Sequence, residues 1–178
     1  FKNFDLSEVA SYIDWGPFFQ TWDLAGPYPA IFSDEVVGEQ AKKVFADAQA
    51  MLKKMVEGRW LTANAVIGLY PANRVNADDI ALYADERRQQ QLLTWHGLRQ
   101  QTEKLAVDGP NGEKVMRPSR CLADFVAPKD SGIADYAGLF AVTAGLGVEK
   151  KAQEFLANLD DYSAILFKSL ADRLAEAF

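Results

Sequence analysis

One long amphipathic stretch limits the fold of this chain more than any other feature. Between residues 37 and 55, apolar side chains recur at steps of three and four residues, which places them along one face of an α-helix. We predict that this helix begins after Ser33, an N-cap residue followed by Asp34 and Glu35 in the first turn, and ends at Gly58. The apolar face consists of Val37, Ala41, Val44, Ala48, Met51 and Met55. Four charged residues lie off that face and are expected to contact solvent: Lys42, Lys43, Lys53 and Lys54.

Short apolar segments predict a sheet between this helix and two further helices. The predicted strands are Ala65–Tyr70, which ends before Pro71, and then Ile80–Tyr83, Gln91–Leu98 and Tyr136–Thr143. Helices are predicted at Glu149–Leu156 and from Asp161 to the end of the chain. One side of the last helix is predicted to be apolar through Ile165, Leu166, Leu170, Leu174 and Phe178. This order of elements indicates an α+β fold with a mostly antiparallel sheet.

Two other segments carry turn-forming residues. Residues 12–32 mix aromatic residues with Gly and Pro, which predicts an irregular but packed segment. The segment Asp108–Gly112 has the composition of a tight turn, and we predict that it forms the tip of a surface hairpin.

Composition and charge exclude several classes of function. The chain has 178 residues, a net charge of −6 and no basic cluster longer than Glu86-Arg87-Arg88, which argues against a nucleic-acid partner. No apolar run approaches the roughly 20 residues of a membrane span. Because Cys121 is the only cysteine, a disulfide within the chain is impossible, and we expect a cytoplasmic protein in which Cys121 is a small buried residue.

The common catalytic signatures are missing from the sequence. There is no Gly-rich phosphate loop, no GxSxG elbow and no set of Cys and His residues at metal-binding spacing. His96 is the only histidine, and its place in a predicted strand favours a structural role. Polar residues follow two predicted strands, at 71–74 and at 98–104. Such residues either line a site or hold loops together, and the local sequence leaves both interpretations open.

Asp14 is the polar residue that most needs an explanation. It lies between Ile13 and Trp15, in a segment whose aromatic residues are expected to be buried. One interpretation is a cap or turn residue, which the local sequence favours. The other is a carboxylate that receives a cationic or hydroxyl-bearing ligand at the mouth of an aromatic pocket.

Six strings, in order along the chain, carry a resemblance to one family. They are Tyr12-Ile13-Asp14-Trp15 with Pro17-Phe18-Phe19, Asp34-Glu35-Val36-Val37-Gly38, Pro71-Ala72-Asn73-Arg74, Leu98-Arg99-Gln100-Gln101-Thr102-Glu103-Lys104, Cys121-Leu122-Ala123-Asp124-Phe125-Val126-Ala127-Pro128, and Ala171-Asp172-Arg173-Leu174-Ala175-Glu176-Ala177-Phe178. From about Ser11 to its end, the chain resembles the C-terminal activation domain of vitamin B12-dependent methionine synthase.

The resemblance implies a twisted antiparallel sheet with flanking helices and a role in methionine biosynthesis. The whole enzyme is a methyltransferase that moves a methyl group from methyltetrahydrofolate to homocysteine through cobalamin, and the activation domain presents S-adenosylmethionine when inactive cob(II)alamin must be methylated again. The implied partners are the cobalamin-binding domain of the same parent chain and flavodoxin or a related reductase, which supplies an electron. Cobalamin and zinc are expected in other domains of the parent.

The same resemblance assigns candidate site residues. It implies that Asp14 contacts S-adenosylmethionine and that Glu176 is a second carboxylate of that site, which reverses the preference of the local sequence for a cap residue. The aromatic segment around Trp15, Phe18 and Phe19 is expected to hold the adenine loosely. No catalytic residue and no metal ligand is expected in this chain.

The chain also departs from the family pattern. The family's Arg-Pro-x-x-Gly-Tyr-Pro motif, which grips the ligand, is expected beyond Phe178, and residues 106–119 resemble an insertion. We therefore expect residues 1–178 to form a single domain, the N-terminal portion of an activation domain cut at both ends, that alone binds the ligand weakly and is not an active enzyme. The alternative is a stand-alone reactivation or docking domain for another corrinoid protein.

Overall fold

The structure is a computed structural model that describes residues 1–110 and 112–178. In these ranges the helices are α1 (Leu6–Ala10), α2 (Trp15–Thr21), α3 (Gly38–Glu57), α4 (Val148–Ala157) and α5 (Asp161–Ala177). The strands are β1 (Thr62–Arg74), β2 (Asp79–Tyr83), β3 (Gln91–His96), β4 (Ala106–Asp108), β5 (Lys114–Met116) and β6 (Asp135–Leu146). Short 3-10 helices occupy Ala30–Ser33, Leu122–Phe125 and Lys129–Ser131. The chain divides into two compact units, one made of Phe1–Val66 with Ala141–Phe178 and the other of Ile67–Phe140.

The long amphipathic helix is confirmed as α3, and its predicted apolar face packs into the core of the first unit. Its predicted start is wrong, because α3 begins at Gly38 and Ser33 belongs to a 3-10 helix. The Asp34 carboxylate accepts backbone hydrogen bonds from Val36 and Val37 at 2.8 and 2.9 Å, so it caps a separate turn before the helix. Gly58 is the C-cap, as predicted.

The prediction of an irregular segment at residues 12–32 is also wrong in part, because α2 lies within it. Gly16 and Pro17 disfavour the middle of a helix, but here they fall in the first turn, where proline is tolerated because its missing N–H has no partner in the helix. A second short helix, α1, was not predicted, and Asp5 caps it through the backbone N–H of Ser7.

The core of the first unit is rich in aromatic side chains, and Phe18, Phe19 and Phe167 are fully buried there. The helices α1, α2 and α3 all contact α5. The buried face of α5 contains three of its predicted residues, Leu166, Leu170 and Leu174, and is completed by Ala164, Phe167 and Ala171. Ile165 was predicted on this face but is 54% exposed, because successive helical residues are rotated by about 100° from one another.

The sheet has the order β3-β2-β1-β6, and the β1–β2 and β2–β3 pairs are antiparallel. Together with the helices, this confirms the predicted α+β class with a mostly antiparallel sheet. The predicted end of the first strand is wrong, because β1 continues through Pro71 to Arg74. Pairing with β2 begins at Ala72, so the missing N–H of Pro71 costs no bond in this ladder.

A small hydrophobic cluster covers part of the sheet in the second unit, and it includes Cys121, which is buried as predicted. The predicted hairpin is confirmed by the antiparallel strands β4 and β5 and by a bond from the Gly109 N–H to the Glu113 carbonyl at 2.7 Å. Within that predicted turn, Asn111 lies outside the described residues. None of the described helices has both the length and the apolar content needed to cross a membrane.

Candidate functional site

Asp14 is the N-cap residue of α2. Its backbone is extended, and its Oδ1 accepts a hydrogen bond from the backbone N–H of Gly16 at 2.9 Å. The side chain is exposed, and among the described residues no other donor lies within hydrogen-bond distance of it. A carboxylate has about four acceptor positions. The cap therefore leaves most of the accepting capacity of Asp14 free for a ligand.

The aromatic residues that follow Asp14 belong to the core of the first unit. Trp15, Phe18 and Phe19 are all buried, and the Trp15 ring packs edge-on against Phe18 at a centroid distance of 5.3 Å. The expectation that these three rings hold an adenine is therefore wrong, since they are buried in the hydrophobic core. The exposed aromatic residue nearest to Asp14 in sequence is Tyr12, whose exposed fraction is 70%.

Glu176 is exposed in the last turn of α5, within the same compact unit as Asp14. A cavity of about 350 Å³ lies beside this part of the helix, and its lining includes Thr143, Lys168, Asp172 and Ala175. Asp172 precedes Glu176 by four residues, so the two carboxylates project from the same side of the helix. Glu176 is therefore exposed on the same side of α5 as Asp172, which lines the cavity.

A charged network that sequence reasoning missed lies in the second unit. Both guanidinium NH2 nitrogens of Arg99 donate to the Asp124 carboxylate at 2.8 Å, and its Nε donates to Asp78 at 2.8 Å. Two further bonds of 2.8 Å from Arg99 reach the carbonyls of Ala77 and Ser119. Arg99 thus joins three chain segments and has its donors occupied, so this part of the string at 98–104 holds loops together.

The titration of the network follows from its hydrogen bonds. The pKa of the Asp124 carboxyl is well below its ordinary value, chiefly because Arg99 donates to it and also because the backbone N–H of Cys121 does. The pKa of Arg99 is raised by the same pairing. Because the donors of Arg99 are all occupied, these pKa shifts indicate a structural ion pair rather than a site of proton transfer.

His96 is largely exposed on β3, where its Nδ1 lies 3.1 Å from the Asp79 Oδ1 on the neighbouring strand. In residues 1–110 and 112–178, no group of three or more His, Cys, Asp or Glu side chains is arranged to hold a metal ion.

The chain is a mixed α+β protein that exposes two carboxylates at helix ends, Asp14 at the start of α2 and Glu176 in the last turn of α5. The family described as "Vitamin B12 dependent methionine synthase, activation domain" matches residues 5–178. The chain belongs to this family. It is also similar to a solved structure, "Crystal Structure of the MetH Reactivation Domain bound to AdoHcy", with 50% identity and a TM-score of 0.85. That match covers 100% of this chain and 51% of the other, so this chain spans about half the length of the solved relative.

Proposed function

We propose that this chain forms part of an S-adenosylmethionine site used to methylate cob(II)alamin again in a cobalamin-dependent methionine synthase. The observation that carries the proposal is the 50% identity, over the whole chain, with a reactivation domain bound to AdoHcy. AdoHcy is S-adenosylmethionine without its transferable methyl group. A site that holds one therefore has the groups needed to recognise the adenosyl and amino-acid parts of the other.

In this proposal Asp14 and Glu176 are the ligand-contacting carboxylates of the chain. The ligand carries an ammonium group and, in S-adenosylmethionine, a sulfonium, and a carboxylate near either cation is favourable. Both side chains are exposed in one compact unit, and Asp14 keeps free acceptor positions while it caps α2. Neither residue is proposed to react; they bind and orient the ligand.

Other parts of the parent protein are proposed to supply the remaining chemistry. S-adenosylmethionine supplies the methyl group, cobalamin is held mainly by another domain of the parent chain, and zinc belongs to a further domain. Flavodoxin or a related reductase supplies the electron. We propose a cytoplasmic location for the parent methyltransferase, and no methyltransferase activity for this chain alone.

A calorimetric titration of AdoHcy and S-adenosylmethionine into the complete parent protein tests the role of Asp14. The variant Asp14→Asn keeps a side-chain oxygen for the cap but removes the charge. We expect the dissociation constant to rise by about 10- to 100-fold, because a hydrogen bond to a charged group contributes about 1.5–3 kcal/mol.

Asp5→Asn is a matched control for this variant. Asp5 caps α1 in the same way, with its Oδ1 accepting from the Ser7 N–H at 2.8 Å, and it is also exposed. Equal affinities of both variants and the unmodified protein would remove Asp14 from the site. The same titration of Glu176→Gln tests the second carboxylate, and we expect weaker binding there as well.

A further inference from the structure

A cleft in the second unit, residues 67–140, is not used by the proposed function. Its volume is about 540 Å³. It lies between the turn after β1 and the 3-10 helix at Lys129–Ser131. Its lining includes Arg74, Asn76, Ala77, Pro128, Lys129 and Asp130.

The two walls of this cleft are held together by hydrogen bonds. Asn73 is 3% exposed, and its amide donates to the carbonyls of Ala127 and Ile133 at 3.1 and 3.0 Å. The Arg74 backbone N–H also donates to the Ala127 carbonyl at 3.0 Å. Because both walls are anchored through one strand end, the cleft exists before any ligand binds, which lowers the entropic cost of binding.

The Arg74 guanidinium has donors to spare. Its nearest carboxylate oxygen is Asp124 Oδ1 at 3.9 Å, and both oxygens of Asp124 already accept from Arg99 at 2.8 Å. Within the described part of the chain, the Arg74 side chain donates no hydrogen bond. Arg74 lines the cleft, and a guanidinium whose donors are unused is suited to a planar oxyanion.

Lys129, which follows Pro128 in the lining, adds a second cation. Its ammonium lies 5.8 Å from the centroid of the Tyr83 ring, and no carboxylate among the described residues pairs with it. Asp130 contributes one negative charge to the lining. Among the lining residues, two cations and one anion leave an excess of one positive charge, which favours an anionic ligand.

We propose that this cleft binds a small oxyanion, the carboxylate or phosphate group of a ligand, between Arg74 and Lys129. Its residues belong to the second compact unit, whereas Asp14 and Glu176 belong to the first. It also gives a role to Arg74, whose string at 71–74 the ligand site described above does not use.

Titration of the 178-residue chain with acetate and, separately, with inorganic phosphate tests this proposal by amide NMR at constant ionic strength. We expect saturable shifts at residues 74–77 and 128–130, and the stronger of the two ligands identifies the anion class. Arg74→Gln and Lys129→Gln should each weaken that binding at least about tenfold. Arg117→Gln is the matched control, because it removes the same charge from an exposed position that is not among the lining residues of the cleft.

Lys129→Gln keeps the test decisive if Arg74→Gln disturbs the fold, because Lys129 is exposed and its removal leaves the bonds of Asn73 in place. Saturable shifts that both cleft variants weaken, and the control does not, would support the site. The absence of saturable shifts with either anion would overturn the proposal. Equal affinities of Lys129→Gln and Arg117→Gln would also overturn it.

Discussion

Replacing Phe19 by Ala tests whether the aromatic core supports the helix that carries Asp14. Phe19 is fully buried in α2, and its ring packs against Phe18, Phe32 and Phe45 at centroid distances of 5.5, 5.8 and 6.1 Å. A buried Phe→Ala change costs about 3–5 kcal/mol, from lost transfer free energy and from the cavity left behind. The total stability of a domain is about 5–15 kcal/mol, so this loss is a large part of it.

Urea unfolding followed by tryptophan fluorescence measures the effect. With a denaturant slope of about 2 kcal/mol per molar, the loss lowers the unfolding midpoint by roughly 1.5–2.5 M. Phe140→Ala is the matched control, because this ring is 75% exposed and its removal should change the free energy of unfolding by less than about 0.5 kcal/mol. A similar loss in both variants would refute the argument that burial of Phe19 stabilises the first unit.

Three further predictions concern titration and ligand affinity. The folded-state pKa of Asp124 is depressed, so its contribution to stability is present above its unfolded pKa of about 3.9 and is lost as the pH falls through the folded value. Acid unfolding curves of Asp124→Asn should therefore lose part of this pH dependence. An unchanged pH dependence would contradict the ion pair. Burial and a hydrogen bond to Asp47 raise the pKa of Tyr162 to about 12. Ultraviolet titration should therefore show one tyrosine that ionises at a higher pH than the others, and Tyr162→Phe should remove it. The free energy of unfolding should fall as the pH rises from about 10 through 12. The 178-residue chain should bind AdoHcy far more weakly than the complete parent protein, because it spans about half of the solved relative; comparable affinities in one buffer would place the whole ligand site within these residues.

The predictions from sequence were most accurate where apolar residues recur at a regular helical spacing. The buried face of α3 follows a helical spacing over five turns, so its position was clear, whereas its first residue depended on which of several polar residues caps it. The helix α2 was missed because Gly16 and Pro17 would disfavour the middle of a helix but are tolerated in its first turn. Local composition does not distinguish these two positions.

The Arg99 network shows a different limit. Its acceptors lie 20 to 25 residues away in sequence, at Asp78, Ser119, Ala77 and Asp124. No local sequence pattern predicts these acceptors, because only the tertiary fold brings the segments together. The family resemblance placed two of these segments among the matching strings, but it did not indicate that they contact each other.

Asp14 shows that the two interpretations of a single residue can support each other. The bond from the Gly16 N–H fixes one oxygen of the carboxylate, so the side chain has already lost rotamer freedom before a ligand binds. A cap residue is therefore a preorganised contact for a cation, and the second oxygen needs no partner within the protein. The two contributions are separable. Asp14→Asn keeps the cap and removes the charge, while Asp14→Ala removes both and should cost a further stability loss of about 1 kcal/mol. If ligand affinity falls equally in both variants while stability falls only in the second, charge accounts for binding and the cap for the helix. If affinity falls only with Asp14→Ala, the position of α2 rather than the charge of Asp14 governs the site.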